Sequence, residues 1–269
     1  MGVRRTAAAL LALAALAVVP AACGSGDGAI GTQAGPPRFR VLVFTRTTGF
    51  RHASIPVAVA TIRRLGHARR FGVDHTEDEG RFTDARLARY AALIFLSTTG
   101  EPLAREAHRR ALRRYIERGG GFLGVHAASD SFYDWPWYGG LVGASFRRHA
   151  AGTPAADVVV EDRGTAATAR LPRLWRRADE WYAFRSAPRG RVHVLATVNE
   201  RSYDAGGAAM GADHPIAWCH RYDGGRSVYT AMGHTKESYR EPLFAAHLLG
   251  AIEMAAGRAR FPCAPRRVT

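Results

Sequence analysis

Four histidines and a few carboxylates in this chain stand where the sequence switches from apolar runs to polar turns, and those residue types suit proton transfer or metal ligation. Residues 47–52, 97–100 and 126–130 each follow a run that reads as a strand. The segment Gly124-Val125-His126-Ala127-Ala128 has the small neighbours of the sharp elbow on which hydrolases display a nucleophile, with histidine as the displayed residue. An imidazole there can serve as general base, nucleophile or metal ligand, or can simply bond a neighbouring carbonyl. Asp130 and Asp134 follow the elbow, Glu180 precedes an aromatic strand, His214 precedes Pro215, and His234 with Glu237 falls after a later strand. Carboxylates beside histidines can divide proton donation and abstraction, with His126, Glu180 and His234 as the central groups. His52, His126 and His234 with one acid would equally satisfy a divalent metal, although no H-x-x-x-H spacing enforces it. Tyr133, Trp135, Trp137 and Tyr138 crowd one short loop, where they either offer flat faces to a sugar ring or plug the end of the sheet. Asp162, Asp204 and Asp223 are read as salt-bridge or turn residues.

These positions gather only if the chain forms a doubly wound sheet. Residues 39–45 (FRVLVFT), 71–75, 91–96 (AALIFL) and 122–125 read as strands. Between them come a helix after Ser54 with Pro56 in its first turn, ending near Arg64, another from Thr83 and Asp84, and a long one from Pro102 to the glycine stop at 119–121. Strands alternating with helices predict an α/β fold whose parallel sheet is covered on both faces, with ligands collecting beyond the carboxyl ends of the strands. The second half adds closely spaced strands at 157–160, 180–184, 191–198, 215–220 and 226–230, the last two joined by a hairpin turn at 222–225, before a final helix from Pro242 to about Ala256.

The first 22 residues have the order of a secretory signal: Arg4 and Arg5, an apolar run over 7–19, then Ala21 and Ala22 before Cys23. The small residues flanking Cys23 resemble a lipobox, which predicts acylation of that thiol and a membrane anchor. Pro20 departs from the usual aliphatic residue, and plain cleavage with secretion is the alternative. Residues 23–37 then form a Gly/Ala/Ser/Pro tether, 38–257 a single domain, and 258–269 a tail. The formal charge is +15 and Lys236 is the only lysine. The arginines follow composition more than a nucleic-acid footprint: the basic run at 108–118 lies on one helix with few aromatics, so no nucleic-acid partner is expected and anionic headgroups are favoured. In an oxidising compartment Cys219 and Cys263 form a disulfide or remain two thiols. Neither sits at a strand-to-helix turn, which argues against a cysteine nucleophile.

The stretches Thr48-Gly49-Phe50-Arg51-His52, GVHAASDSFYDWPWYGGLVG at 124–143, DEWYAF at 179–184, ADHPIAWCHRYDGGR at 212–226 and GHTKESY at 233–239 resemble, in order, the signature segments of the ThuA-like (trehalose-utilisation) family. The resemblance spans residues 39–257. It implies a class I glutamine amidotransferase-like, flavodoxin-like, mostly parallel sheet with extra strands in its second half, and histidine in place of the catalytic cysteine. It also implies a setting in carbohydrate metabolism, beside sugar oxidoreductases, with a disaccharide or keto-sugar as ligand. On this reading Thr48, Phe50, Arg51, His52, Thr99, Asp130, Tyr133, Trp135, Trp137, Trp181, His214 and Glu237 surround the substrate. A divalent metal at His52, His126 and His234 is an open alternative, and no other cofactor is expected. A surface-tethered sugar-binding module, a metal-dependent hydrolase and a docking subunit of a membrane oxidoreductase are the rival functions.

Overall fold

The computed structural model describes residues 1–2 and 36–264, so the signal, the Cys23 lipobox and most of the tether lie outside the described residues. In chain order the elements are β1 (Arg40–Phe44), α1 (Ile55–Arg69), β2 (Gly72–Thr76), α2 (Asp84–Leu87), β3 (Ala92–Leu96), α3 (Glu106–Glu117), β4 (Gly121–Val125), α4 (Pro136–Val142), β5 (Phe146–His149) and β6 (Ala155–Val160). They continue as β7 (Leu174–Ala178), β8 (Tyr182–Phe184), β9 (His193–Asn199), β10 (Pro215–Tyr222), β11 (Gly225–Thr230) and α5 (Pro242–Ala255).

Nine strands form one sheet in the order β2-β1-β3-β4-β11-β10-β9-β6-β7, and β5 pairs with β8 in a separate ribbon. Pairing is parallel from β2 through β11 and antiparallel from β11 to β7. Every residue of β3 and β4 is buried. Successive side chains point to opposite faces, so both faces of this parallel half are covered, and continuous runs such as ALIFL are what such strands require. Helices α1 and α5 pack on each other and α5 on β4 and β11, while α2 and α3 form a second pair.

Several boundaries differ from the sequence expectation. The first helix extends to Arg69, where Arg70 turns left-handed at φ 58°. Ser54 does not cap it; the hydroxyl donates instead to the Gly233 carbonyl at 3.4 Å and ties the helix start to the His234 loop. The third helix begins at Glu106 and leaves Pro102 in a loop, where the Glu79 carboxylate accepts the amides of Ala104 and Arg105 at 2.7 and 3.3 Å. The loop of tryptophans contains α4, with Pro136 at its start.

Glu79 also meets Arg46 at 3.0 Å and His108 at 3.3 Å. Burial raises its carboxyl pKa, but the hydrogen bonds from His108, Arg46 and the two amides outweigh that and hold it at about 2. A folded-state pKa below the unfolded one contributes stability above the unfolded value, lost as pH falls through the folded one. Glu79→Gln is therefore expected to cost about 2 kcal/mol at pH 7, or roughly 4–8 °C in a domain this size. The difference from wild type should close between about pH 4.5 and pH 2, as melting curves across that range will show.

Cys219 on β10 and Cys263 in the tail are bridged, closing a loop of sequence separation 44. A crosslink over that span contributes up to about 4 kcal/mol through the unfolded chain. Cys263→Ala should lower the denaturant midpoint accordingly, and a reductant should lower the wild type to the same value without moving the variant.

Candidate functional site

The carboxyl end of β4 runs into His126, whose φ of 51° costs a non-glycine residue roughly 1–2 kcal/mol. The turn is held from both sides. Its carbonyl accepts the Tyr229 hydroxyl at 2.8 Å, and Gly124 lets the chain pass, since a β-carbon there would stand 3.0 Å from Tyr229 and 3.3 Å from Ala128. Backbone strain of this kind clusters at active sites and ligand clamps.

The imidazole of His126 is wholly buried. Its Nδ1 donates to the Ala231 carbonyl at 2.6 Å, which fixes the tautomer and turns Nε2 toward His234 and Glu180. His126 Nε2 lies 3.2 Å from His234 Nδ1 and 3.3 Å from Glu180 Oε2, and the last two are 3.0 Å apart. His52 completes the group, with its ring centroid 4.7 Å from that of His126 and 5.1 Å from that of His234. One ligand atom from each of the four residues falls within 4.8 Å of the others.

The electrostatics are set by crowding. Burial raises the Glu180 pKa, but the imidazoles of His126 and His234 beside it override that and hold the carboxyl far below the usual range. The same carboxylate raises His234. Burial, with the neighbouring imidazoles, pushes His52 down to about 3, so it is a neutral donor whose Nδ1 has no hydrogen-bond partner among the described residues.

Asp179 places the His234 loop. Its buried carboxylate accepts the amides of Gly233 and His234 at 2.9 and 3.0 Å and the Ser238 hydroxyl at 3.1 Å, and it pairs with Arg177 at 3.1 Å.

A pocket of about 230 Å³ opens onto the cluster. Phe50, 65% exposed, stands on one side. Phe146, His149 and Tyr182 line it with Asp130, and Tyr182 lies against the His126 ring at 4.2 Å. Burial raises the Asp130 carboxyl against the lowering effect of its 2.5 Å bond from the Tyr133 hydroxyl.

Of the residues expected around a ligand, Phe50, His52, Asp130, Glu180 and His234 line this pocket, and His126 lies beneath it. The others do different work. Trp135 and Trp137 stack on each other at 5.0 Å, Trp137 donates to Asp223, and Arg109 and Arg113 of α3 cover them, so neither ring lines the pocket. Trp181 sits between Glu180 and Tyr182 in an extended stretch, where alternation turns it to the other side, and its indole donates to Pro154. His214 bridges Glu200 and the Tyr182 carbonyl, both at 2.8 Å. Thr99 donates to the Phe50 carbonyl and Thr48 accepts the Glu101 amide, so the two threonines shape the Phe50 loop. Arg51 pairs with Glu77 at 2.6 Å. Glu237 is exposed, 3.9 Å from Arg240. Phe146, His149 and Tyr182 were not expected in the pocket; the β5–β8 ribbon brings them there, and no local pattern announces that pairing.

A parallel sheet that presents histidine at the β4 elbow, with antiparallel strands added along one edge, defines a glutamine amidotransferase-like fold that lacks the cysteine nucleophile. Residues 40–255 match the model of the ThuA family, described as trehalose utilisation, and the chain belongs to that family. A ThuA-like protein of Bacteroides uniformis is 26% identical with a TM-score of 0.69, covering 82% of this chain and 92% of its own. A ThuA-like protein of Parabacteroides merdae is 20% identical with a TM-score of 0.65, covering 82% and 90%. A β-galactosidase of Bacillus circulans shares the fold over 81% of this chain and 31% of its own, at 13% identity and a TM-score of 0.54. No curated protein matches the chain.

Proposed function

We propose that the chain is an exported, membrane-tethered enzyme that acts on a carbohydrate, a disaccharide or keto-sugar, at a divalent cation held by His52, His126, His234 and Glu180. The spacing of three donors carries this reading: they stand 3.0, 3.2 and 3.3 Å apart. Ligands at about 2.0–2.1 Å from one ion at tetrahedral angles stand roughly 3.3 Å from one another. The donor chemistry agrees, since imidazole nitrogen with one carboxylate suits zinc and its first-row neighbours. Bound there, the cation would polarise a sugar carbonyl or hydroxyl and activate water.

The chain's own side chains supply the rest. Phe50, Phe146 and Tyr182 offer apolar faces to the C–H groups of one ring. His149 Nδ1 is engaged by the Ala150 carbonyl at 2.7 Å, leaving Nε2 to abstract a proton. Asp130, raised by burial, is the complementary donor. The carbohydrate class is supported by the family's description as trehalose utilisation. Export and anchoring are supported by the residues around Cys23.

The purified full-length chain should retain one equivalent of a divalent cation by elemental analysis. It should convert a member of a panel of disaccharides and 3-keto-sugars, followed by NMR, and lose that turnover with a chelator. Turnover indifferent to chelation would restrict the reading to proton transfer by His234 and Glu180; ligand binding without conversion would leave a sugar-binding module.

A further inference from the structure

The opposite, amino-terminal edge of the parallel sheet holds a larger cavity, about 440 Å³, that the reaction does not use. It opens where β4 and β11 begin, at the pair Gly121 and Arg226, whereas His126 follows the far end of β4. Strands of five residues separate the two sites by roughly 15 Å.

Three guanidinium groups, those of Arg118, Arg226 and Arg258, line this cavity. Arg226 is half-buried and fixed in place: its Nε donates to the Ala255 carbonyl at 2.9 Å, and Gly257, with φ 66°, lets the guanidinium lie where a β-carbon would stand 3.2–3.3 Å from it. No carboxylate pairs with Arg226 or Arg258 among the described residues. Asp84, the one acid in the lining, is taken by Arg114 at 2.9 and 3.1 Å and reaches Arg118 only at 4.0 Å. The two tyrosine hydroxyls present are also engaged, Tyr90 with Asp74 and Tyr115 with the Tyr90 carbonyl. Burial lowers the Arg226 pKa; Tyr115 opposes that shift, and the neighbouring Arg221 and Arg258 add to it.

A guanidinium held by its Nε in the wall of an open cavity has two further nitrogens, in the forked geometry that takes two oxygens of an oxyanion. We propose that this cavity binds the phosphate group of an anionic ligand, with Arg226 as the anchor and Arg118 and Arg258 as flanking charges. Two sources carry that chemistry: a soluble phosphate ester and an anionic glycerophospholipid. The lipid is the better placed, since Arg258 also lies over Phe39 at 5.5 Å, beside the strand through which the tether enters the domain.

Calorimetric titration of the purified full-length chain with inorganic phosphate, glycerol 3-phosphate and monomeric dihexanoyl-phosphatidylglycerol tests the site. Saturable binding of phosphate-bearing probes is expected, weakened at least tenfold by Arg226→Gln and at least threefold by the exposed Arg258→Gln, and unchanged by Glu180→Gln. Phosphatidylglycerol bound tenfold more tightly than glycerol 3-phosphate identifies the lipid source; equal or weaker binding identifies the soluble ester. Absence of binding by all three probes, or binding that neither arginine variant weakens, overturns the proposal.

Discussion

Glu180→Gln and His126→Asn are expected to abolish turnover and to weaken divalent-cation binding by at least about 100-fold while leaving the domain folded. The magnitude follows from position, since even outer partners of metal ligands cost roughly 10–100-fold in affinity. Glutamine keeps the shape of Glu180 but brings one neutral oxygen within 3.0–3.3 Å of His234 and His126 in place of a full negative charge. Asparagine is preferred to alanine at position 126 because the backbone there sits at φ 51°, where asparagine is several-fold enriched and alanine is strained. That choice separates loss of the imidazole from collapse of the elbow. Circular dichroism and melting curves check the fold, and titration with zinc or manganese reads the affinity. Cation binding retained in both variants at wild-type strength would remove the four-residue centre and with it the proposed chemistry.

The parallel half of the fold was legible because burial on both faces leaves a plain mark: runs such as VLVF and ALIFL need apolar residues at every position. Two of the clustered histidines were legible for a related reason. His126 and His234 follow strands that must end at the sheet's carboxyl edge, and a doubly wound topology gathers such ends. What escaped has no periodic signature. β5 reads FRRH and β7 reads LWRRA; the β5 arginines and Arg176 meet solvent whereas Arg177 is buried, and in either case the partner strand supplies the order. His149 enters the pocket only through the β5–β8 pairing. Composition left the tryptophans between two readings, a sugar-facing loop and a packed plug; with Pro136 at a helix start, they pack against α3 and the Asp223 turn. Asp179 was hidden by its neighbour Glu180. One residue apart, they serve the loop and the cluster separately, and only the amides of Gly233 and His234 reveal the division.

Asp179→Asn should be among the most damaging conservative substitutions in the chain. The carboxylate accepts two loop amides, the Ser238 hydroxyl and the Glu180 amide, and it faces Arg177 at 3.1 Å with side-chain exposures of 0% and 2%. An asparagine amide offers one accepting oxygen and turns two N–H groups toward donors it cannot satisfy. It also strips Arg177 of its nearer counter-charge, leaving Glu241 at 3.4 Å. Removing one member of a buried pair costs about 3–5 kcal/mol, because the remaining charge is left without compensation. The guanidinium of Arg177 lies between Trp175 and Phe244, 4.6 and 4.7 Å from their centroids, so it has no route to water. Pairing Asp179→Asn with Arg177→Met should therefore recover part of the loss, and a double-mutant cycle in urea reads that coupling. The two changes adding to the sum of their separate costs would show the charges acting independently. Cation affinity should fall in Asp179→Asn and stay low in the double variant, since His234 loses its amide anchor in both; recovery of stability without recovery of binding is the signature of a loop that Asp179 positions.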